Sequence, residues 1–367
     1  MTPRPTIHDV AAAAGVSVAT VSKAVNGRYG IAPATSQRVL DIVRELGYES
    51  SLVASSMRSR KTGVIGILVA DFEPFSAEIL KGVGSALQDS GYDLLAYSGS
   101  RQHDTDGWER RSLSRLSGTL IDGAIMVTPT VVTASTDIPV VAIDPHTGRA
   151  DLPTVESDSF GGALQATRYL IELGHRRIGF LAGRPDLRSA RLREAGYRRA
   201  LEEARIAYNP DLVRVGLYNR ETAKTPAASL LSMTDRPTAV FAANDLSAIG
   251  TIQAAAELGL DVPGDLSVIG FDDIPEASQM NPALTTIRQP MKRLGATAAE
   301  MLIQLLNGET LSQNHLHLPT GLVRRATTAP YNPSTQAGTS VSRRPPTASA
   351  PTMTTTTSAP APAASPG

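Results

Sequence analysis

Apolar and polar residues alternate along this chain in several distinct rhythms. Ile7, Val10, Ala11 and Ala14 fall at i, i+3, i+4 and i+7, which is one face of a short helix. Thr6 is its natural N-cap, Asp9 three residues on completes a variant of the capping box, and Gly15 stands where a left-handed residue ends a helix. Ser17 caps a second short helix and Val16 fills the corner between the two, so this stretch predicts a helix-turn-helix. Val39, Ile42, Val43 and Leu46 mark a third helix over Pro33 to Leu46, closed by Gly47-Tyr48. Ala32 stands where a side-chain cap is usual, a lack worth about 1 kcal/mol.

From Gly63 the rhythm changes to continuous apolar runs alternating with helical patterns. Val64 to Val69, Leu94 to Tyr97, Gly123 to Val127 and Pro139 to Ile143 read as strands, with a helix over Ile79 to Leu87. After Asp158 a second series begins, with helices over 163–173, 192–204 and 247–258 and strands over 178–181, 239–242 and 266–269. Alternation of this kind predicts doubly wound parallel sheets, and two series predict two subdomains with a cleft between them. Beyond Tyr331 all periodicity stops: Pro, Ala, Ser, Thr and Gly dominate, and no leucine heptads follow. Such a composition predicts a disordered tail. The expected organisation is a helix-turn-helix headpiece (1–49), a linker (50–61), a two-lobed α/β core (62–330) and the tail (331–367).

Charge sharpens this picture. Lys and Arg balance Asp and Glu at 35 each, but they outnumber them 7 to 4 in residues 1–60 and are outnumbered 31 to 26 over 61–330. Phosphate attraction is thereby confined to the headpiece, as suits a protein that grips double-stranded DNA at one end. There is no cysteine, which excludes disulfides and thiol chemistry. No apolar run approaches the roughly 18 residues of a membrane span, and the start of the chain lacks a signal-peptide pattern, so a cytoplasmic protein without a membrane partner is expected. The six histidines are scattered, and no nucleotide loop or G-x-S-x-G run occurs. No metal, cofactor or enzyme activity is expected.

In open α/β sheets, ligands bind beyond the carboxyl ends of the strands. The residues that follow the apolar runs are Asp71-Phe72, Asp144, Asn244-Asp245 and Asp272-Asp273. Carboxylates and amides there share paired hydrogen bonds with vicinal hydroxyls, and an aromatic ring covers the C–H face of a sugar. Asp245 reads more naturally as a helix cap, Asp273 as structural, the single Trp108 as core, and Gly174-His175-Arg176-Arg177 as a structural turn. A glycosidase pair at Asp272 and Asp273 is disfavoured, because neighbouring side chains diverge whereas that chemistry needs two carboxyls facing one bond across about 5 to 10 Å.

The Ala14-Gly15-Val16-Ser17 run, Thr20-Val21-Ser22, Asn26 and the third helix together strongly resemble the LacI family of bacterial transcription regulators, from about Thr6 to about Thr328. The resemblance implies a periplasmic-binding-protein-like core crossed three times by the chain, and a homodimer on a palindromic operator. It implies that Val18, Ala19 and Lys23 face bases. The first two offer only apolar contacts, so hydrogen-bonded readout rests on Lys23. Thr20, Ser22 and Asn26 would hold phosphates, with Thr6, Ser17, Thr35 and Ala54 also in the interface. Met57, in a hinge helix over Ser51 to Ser59 that forms on DNA, would wedge the minor groove. Ser50 departs from the proline common in the family. Asp144, Arg193, Asn244 and Asp272 match effector-binding positions of sugar-responsive members, with Phe72, Phe75 and Tyr218 near the aromatic wall. The implied function is a repressor of carbohydrate-use genes released by a sugar. A purine or another co-repressor is the alternative, and a transporter's sugar-binding protein a distant one.

Overall fold

The computed structural model describes residues 5–25, 29–48, 61–99, 107–130, 137–146 and 152–333. Asn26, Ala54 and Met57, and with them the whole hinge expectation, lie outside the described residues, as does the tail from 334 on.

Three helices make the headpiece: α1 (Ile7–Ala14), α2 (Val18–Val25) and α3 (Pro33–Leu46). The Asp9 carboxylate accepts the Thr6 N–H and the Thr6 hydroxyl, each at 2.7 Å, and these bonds hold its pKa below the usual carboxylate range. Gly15 takes φ 62°, in the left-handed region where a side chain is strained, and ends α1. Ser17 then accepts the Thr20 N–H at 3.2 Å, starting α2. Val10, Val21 and Val39, one from each helix, are wholly buried together with Ala11, Ala14 and Ala24. Ala32 supplies no side-chain cap to α3, as its sequence implied. Leu46 departs from expectation: it is 38% exposed, while Val43 and Tyr48 on either side of it pack against the headpiece core.

The core holds two six-stranded sheets. The first runs β1 (Val64–Val69), β2 (Asp93–Ser98), β3 (Gly123–Val127), β4 (Val140–Ile143), β5 (Thr154–Ser157) and β11 (His315–Leu318), in spatial order β11-β5-β4-β3-β1-β2, and every pairing is parallel. The second is built from β6 (Ile178–Ala182), β7 (Val213–Val215), β8 (Ala239–Ala242), β9 (Ser267–Asp272), β10 (Thr285–Arg288) and β12 (Gly321–Val323), in order β12-β10-β9-β8-β6-β7. It is parallel except where β12 runs against β10. Every residue of β1, β3, β4, β6 and β8 is buried, which is why these strands read as unbroken apolar runs: helices cover both faces of each sheet.

The chain crosses between lobes after β5, after β10 and between β11 and β12, giving the three crossings that the resemblance implied. The helix Met291–Leu306 thus follows a second-lobe strand yet packs on Pro74–Leu87 of the first lobe. Two glycines permit that contact. A Cβ at Gly82 would lie 1.9 Å from the Lys292 carbonyl oxygen, and one at Gly295 would lie 2.2 Å from that of Ile79. Trp108 packs with Leu113, Leu116 and Ile121 in the first lobe, as a core residue. His175 is structural as well: Nδ1 pairs with the Thr238 hydroxyl at 2.8 Å and Nε2 with that of Ser267 at 3.0 Å.

Opposite signs are expected for two glycine substitutions. Gly295→Ala forces backbone apart and lowers stability in urea unfolding by about 1–3 kcal/mol. Gly84→Ala, whose Cβ meets only Leu94 at 3.9 Å, raises stability by roughly 0.5–1 kcal/mol by removing backbone freedom from a helix interior.

Candidate functional site

The carboxyl ends of the strands of both lobes open onto one cleft of about 580 Å³ of empty space, part of it continuous with solvent. Four of its lining residues are non-glycines with positive φ: Thr128 (47°) after β3, Asp144 (44°) after β4, Tyr218 (63°) and Asp272 (126°) at the end of β9. Such backbone costs roughly 1–3 kcal/mol per residue and persists only where the surroundings impose it. Here it turns four side chains from strand ends into the same space.

Arg193, on the helix Arg188–Glu203, is the cation among them. It is 5% exposed, its guanidinium lies 3.8 Å over the Phe271 ring, and Nη1 sits 3.6 Å from Asp272 Oδ1 and donates to the Ala243 carbonyl. Nε donates to the Ser159 hydroxyl at 3.4 Å. Among the described residues, these bonds use Nη1 and Nε and leave Nη2 as a donor. Asn244 caps the helix Asp245–Glu257 by accepting the Ser247 N–H at 2.9 Å, while its amide nitrogen donates to the Tyr218 carbonyl at 3.0 Å.

Two carboxylates are held far from water. Burial pushes Asp272 up to about 7 against the pull of Arg193, and Asp144 up to about 6 against the pull of the Ser157 N–H, which it accepts at 2.8 Å. Burial drives His146 down to about 4, so it lines the cleft uncharged, and its Nδ1 has no hydrogen-bond partner among the described residues. Burial also raises the Tyr218 phenol.

Of the residues expected here, Phe75, Asp144, Arg193, Tyr218, Asn244 and Asp272 line the cleft. Phe72 does not: it is 52% exposed in the loop before the helix Pro74–Leu87, and Pro74 starts that helix so that Phe75 faces inward instead. Asp245 is no cap either, since Asn244 takes that role. Its buried carboxylate accepts the Ile274 N–H at 2.9 Å and the Thr286 hydroxyl. Asp273 is tied to Arg288 and Arg325, both at 2.6 Å, as a structural carboxylate. Sequence reasoning missed Thr128, His146, Ser189 and Gln289 in the lining. Thr128 and Gln289 directly follow strands, so the rule that found Asp144 reaches Thr128 after β3, and Gln289 once β10 is recognised.

On the headpiece, Ser17, Ala19 and Lys23 are exposed, and Val18, Thr20, Ser22 and Thr35 are half-buried. The N-terminal half of α2 therefore presents small side chains, with Lys23 one turn beyond.

A helix-turn-helix joined to two parallel α/β lobes around a polar cleft defines a DNA-binding regulator on a periplasmic-binding-protein-like core. The chain belongs to the lacI family of bacterial regulatory proteins, whose profile matches residues 6–51, and a periplasmic binding protein-like domain matches residues 167–328. The HTH-type transcriptional repressor PurR of Aliivibrio salmonicida (strain LFI1238) is 36% identical over 312 residues, 82% of this chain and 91% of that relative. PurR of Edwardsiella ictaluri (strain 93-146) is 35% identical over 333 residues, 88% of this chain and 97% of its own length. Among solved structures, the lac repressor dimer bound to operator and the anti-inducer ONPF superposes with TM-score 0.78 at 29% identity, covering 89% of this chain and all of that one. A complex of the transcriptional regulator CelR with cellobiose gives 0.66 at 32% identity, covering 88% and 100%. The chain is a DNA-binding transcriptional repressor of this family.

The buried carboxylates make stability depend on pH with a definite sign. A folded-state pKa raised from 3.8 to about 7 means that the folded chain binds the Asp272 proton more tightly than the unfolded chain. The resulting stabilisation is complete below 3.8 and is lost as pH rises through about 7. Thermal unfolding of the unliganded protein should therefore show wild type losing ground to Asp272→Asn between pH 4 and 7. A constant difference across that window would mean that Asp272 titrates normally.

Proposed function

We propose that the cleft binds a small neutral effector and that its occupation sets the affinity of the headpiece for a palindromic operator. The observation that carries this reading is the donor and acceptor set itself: Asp144, Arg193, Asn244 and Asp272, from both lobes, converge on one cleft. Two carboxylates, a guanidinium and an amide bring both donors and acceptors to the cleft, which suits a ring bearing hydroxyls. A sugar is the effector this chemistry favours.

A second reading rests on the relatives. Several curated relatives that match this chain over most of its length are named PurR, which weighs toward a purine. Phe75 and Tyr218 supply aromatic surface that a flat base could use. Under that reading the effector is a co-repressor and strengthens operator binding, whereas a sugar inducer weakens it.

On DNA the protein acts in the cytoplasm as a homodimer, one headpiece per half-site. Val18, Ala19 and Lys23 face base edges; Thr20, Ser22 and Asn26 hold phosphates, with Thr6, Ser17, Thr35 and Ala54 also in the interface; Met57 wedges the minor groove. Because Val18 and Ala19 bring no hydrogen-bonding groups, Lys23→Ala is expected to weaken operator binding by about 1–3 kcal/mol while sparing random DNA. Equal losses on both in fluorescence anisotropy would make Lys23 a phosphate contact.

The effector class is tested by titrating the protein on DNA from upstream of its own gene with D-glucose, D-galactose, D-ribose, cellobiose, adenine, guanine and hypoxanthine, and by thermal shift with the same compounds. A sugar that raises the melting temperature and releases DNA, with both effects lost in Asp272→Ala, is the expected result. Stabilisation by a purine alone, with tighter DNA binding, would establish the second reading. No shift with any compound would count against the cleft as an effector site for these classes.

A further inference from the structure

Between the two lobes runs a hydrogen-bonded chain whose central member, Gln289, has no assigned role. Gln289 follows β10 at the point where the chain leaves the second lobe for the helix Met291–Leu306 on the first. It is 2% exposed. Its amide nitrogen donates to Asp272 Oδ1 at 2.6 Å, and its own backbone N–H donates to the Asp272 carbonyl at 3.1 Å. Its amide oxygen accepts from the hydroxyl of Ser157, at the end of β5 in the first lobe. The Ser157 backbone N–H in turn donates to Asp144 Oδ1. The cleft carboxylate of one lobe is thereby joined to that of the other through one neutral amide.

The NH2 end of Gln289 faces Asp272, as an ionised carboxylate requires, and this leaves its oxygen for the Ser157 hydroxyl. Ser157 has a single hydroxyl hydrogen but two acceptors within reach, Gln289 Oε1 and Asp144 Oδ2 at 3.3 Å. The geometry gives the shorter contact to Gln289. Nothing else of the same length fits: a shorter amide would not span the two lobes, and a carboxylate would set oxygen against oxygen at Asp272.

We propose that Gln289 is a positioning residue that fixes the relative setting of the lobes in the unliganded repressor, and that it transmits any displacement of Asp272 to Ser157 and the first lobe. This rests on the reading of the cleft as the effector site, since a ligand that takes hydrogen bonds from Asp272 competes directly with the Gln289 amide.

The test needs no effector. A duplex selected by the wild-type chain from random DNA serves as operator and a scrambled duplex as control, with affinities for full-length protein measured by anisotropy. Gln289→Met keeps the volume without the hydrogen bonds, Gln289→Glu keeps the shape without the donor, and Ser157→Ala cuts the same link from the other side. Each should change the operator-to-scrambled affinity ratio by roughly tenfold, in the range of allosteric couplings, with scrambled binding unchanged. The Gln289→Met, Ser157→Ala double variant should change it no further, because both substitutions remove one link. Ratios that stay at the wild-type value in folded variants would overturn the proposal, as would shifts that simply add. Failure of the effector reading shows elsewhere, in a wild-type protein that no sugar or purine stabilises.

Discussion

Arg193 carries a full positive charge into the middle of the core, and most of the cleft is arranged around the need to keep it there. A guanidinium at 5% exposure has little water, so its charge is met by Asp272, by the Ala243 carbonyl and by the face of Phe271. Asp272 in turn sits among other acids and takes a hydrogen bond from Gln289. Each of these groups comes from the carboxyl end of a strand or from the helix that follows one. The doubly wound fold is what delivers them to one place, and the positive φ angles at Thr128, Asp144, Tyr218 and Asp272 are the local strain that this delivery requires.

Burying that arrangement is costly. Burial raises both Asp144 and Asp272, and His146 is left uncharged with an unpartnered ring nitrogen among the described residues. A ligand that donates hydrogen bonds to the carboxylates would offset part of the cost of burying them. Stability given up at a site in this way is the usual signature of binding, and it explains why the polar residues here sit at the meeting of two lobes rather than inside either sheet.

Much of the architecture was legible because its signals are local. Capping by Thr6 and Asp9, the Gly15 turn and the unbroken apolar runs of β1, β3, β4 and β8 are properties of neighbouring residues, and the strand-end rule reached Asp144, Asn244 and Asp272 directly. Arg193 came only through family resemblance, since nothing in an exposed-looking, Arg-rich helix marks which arginine is buried. What stayed hidden depends on distant partners. Gln289 meets Ser157 across 132 positions of sequence, and β10 is too short and too polar to announce itself as a strand. Phe72 and Phe75 differ only in where Pro74 starts the helix between them, which composition alone does not resolve.

The central claim is that the cleft and the headpiece are thermodynamically coupled, and coupling between two binding equilibria is reciprocal. The most direct measurement is therefore the affinity of one cleft-binding compound for the free protein and for its operator complex, by isothermal titration, beside the affinity of operator with and without that compound. Equal ratios from the two pairs, differing clearly from one, are the predicted result. A compound that binds the free protein and the operator complex equally well, while still requiring Asp272 and Arg193, would contradict the account: the cleft would be a ligand site without control over DNA.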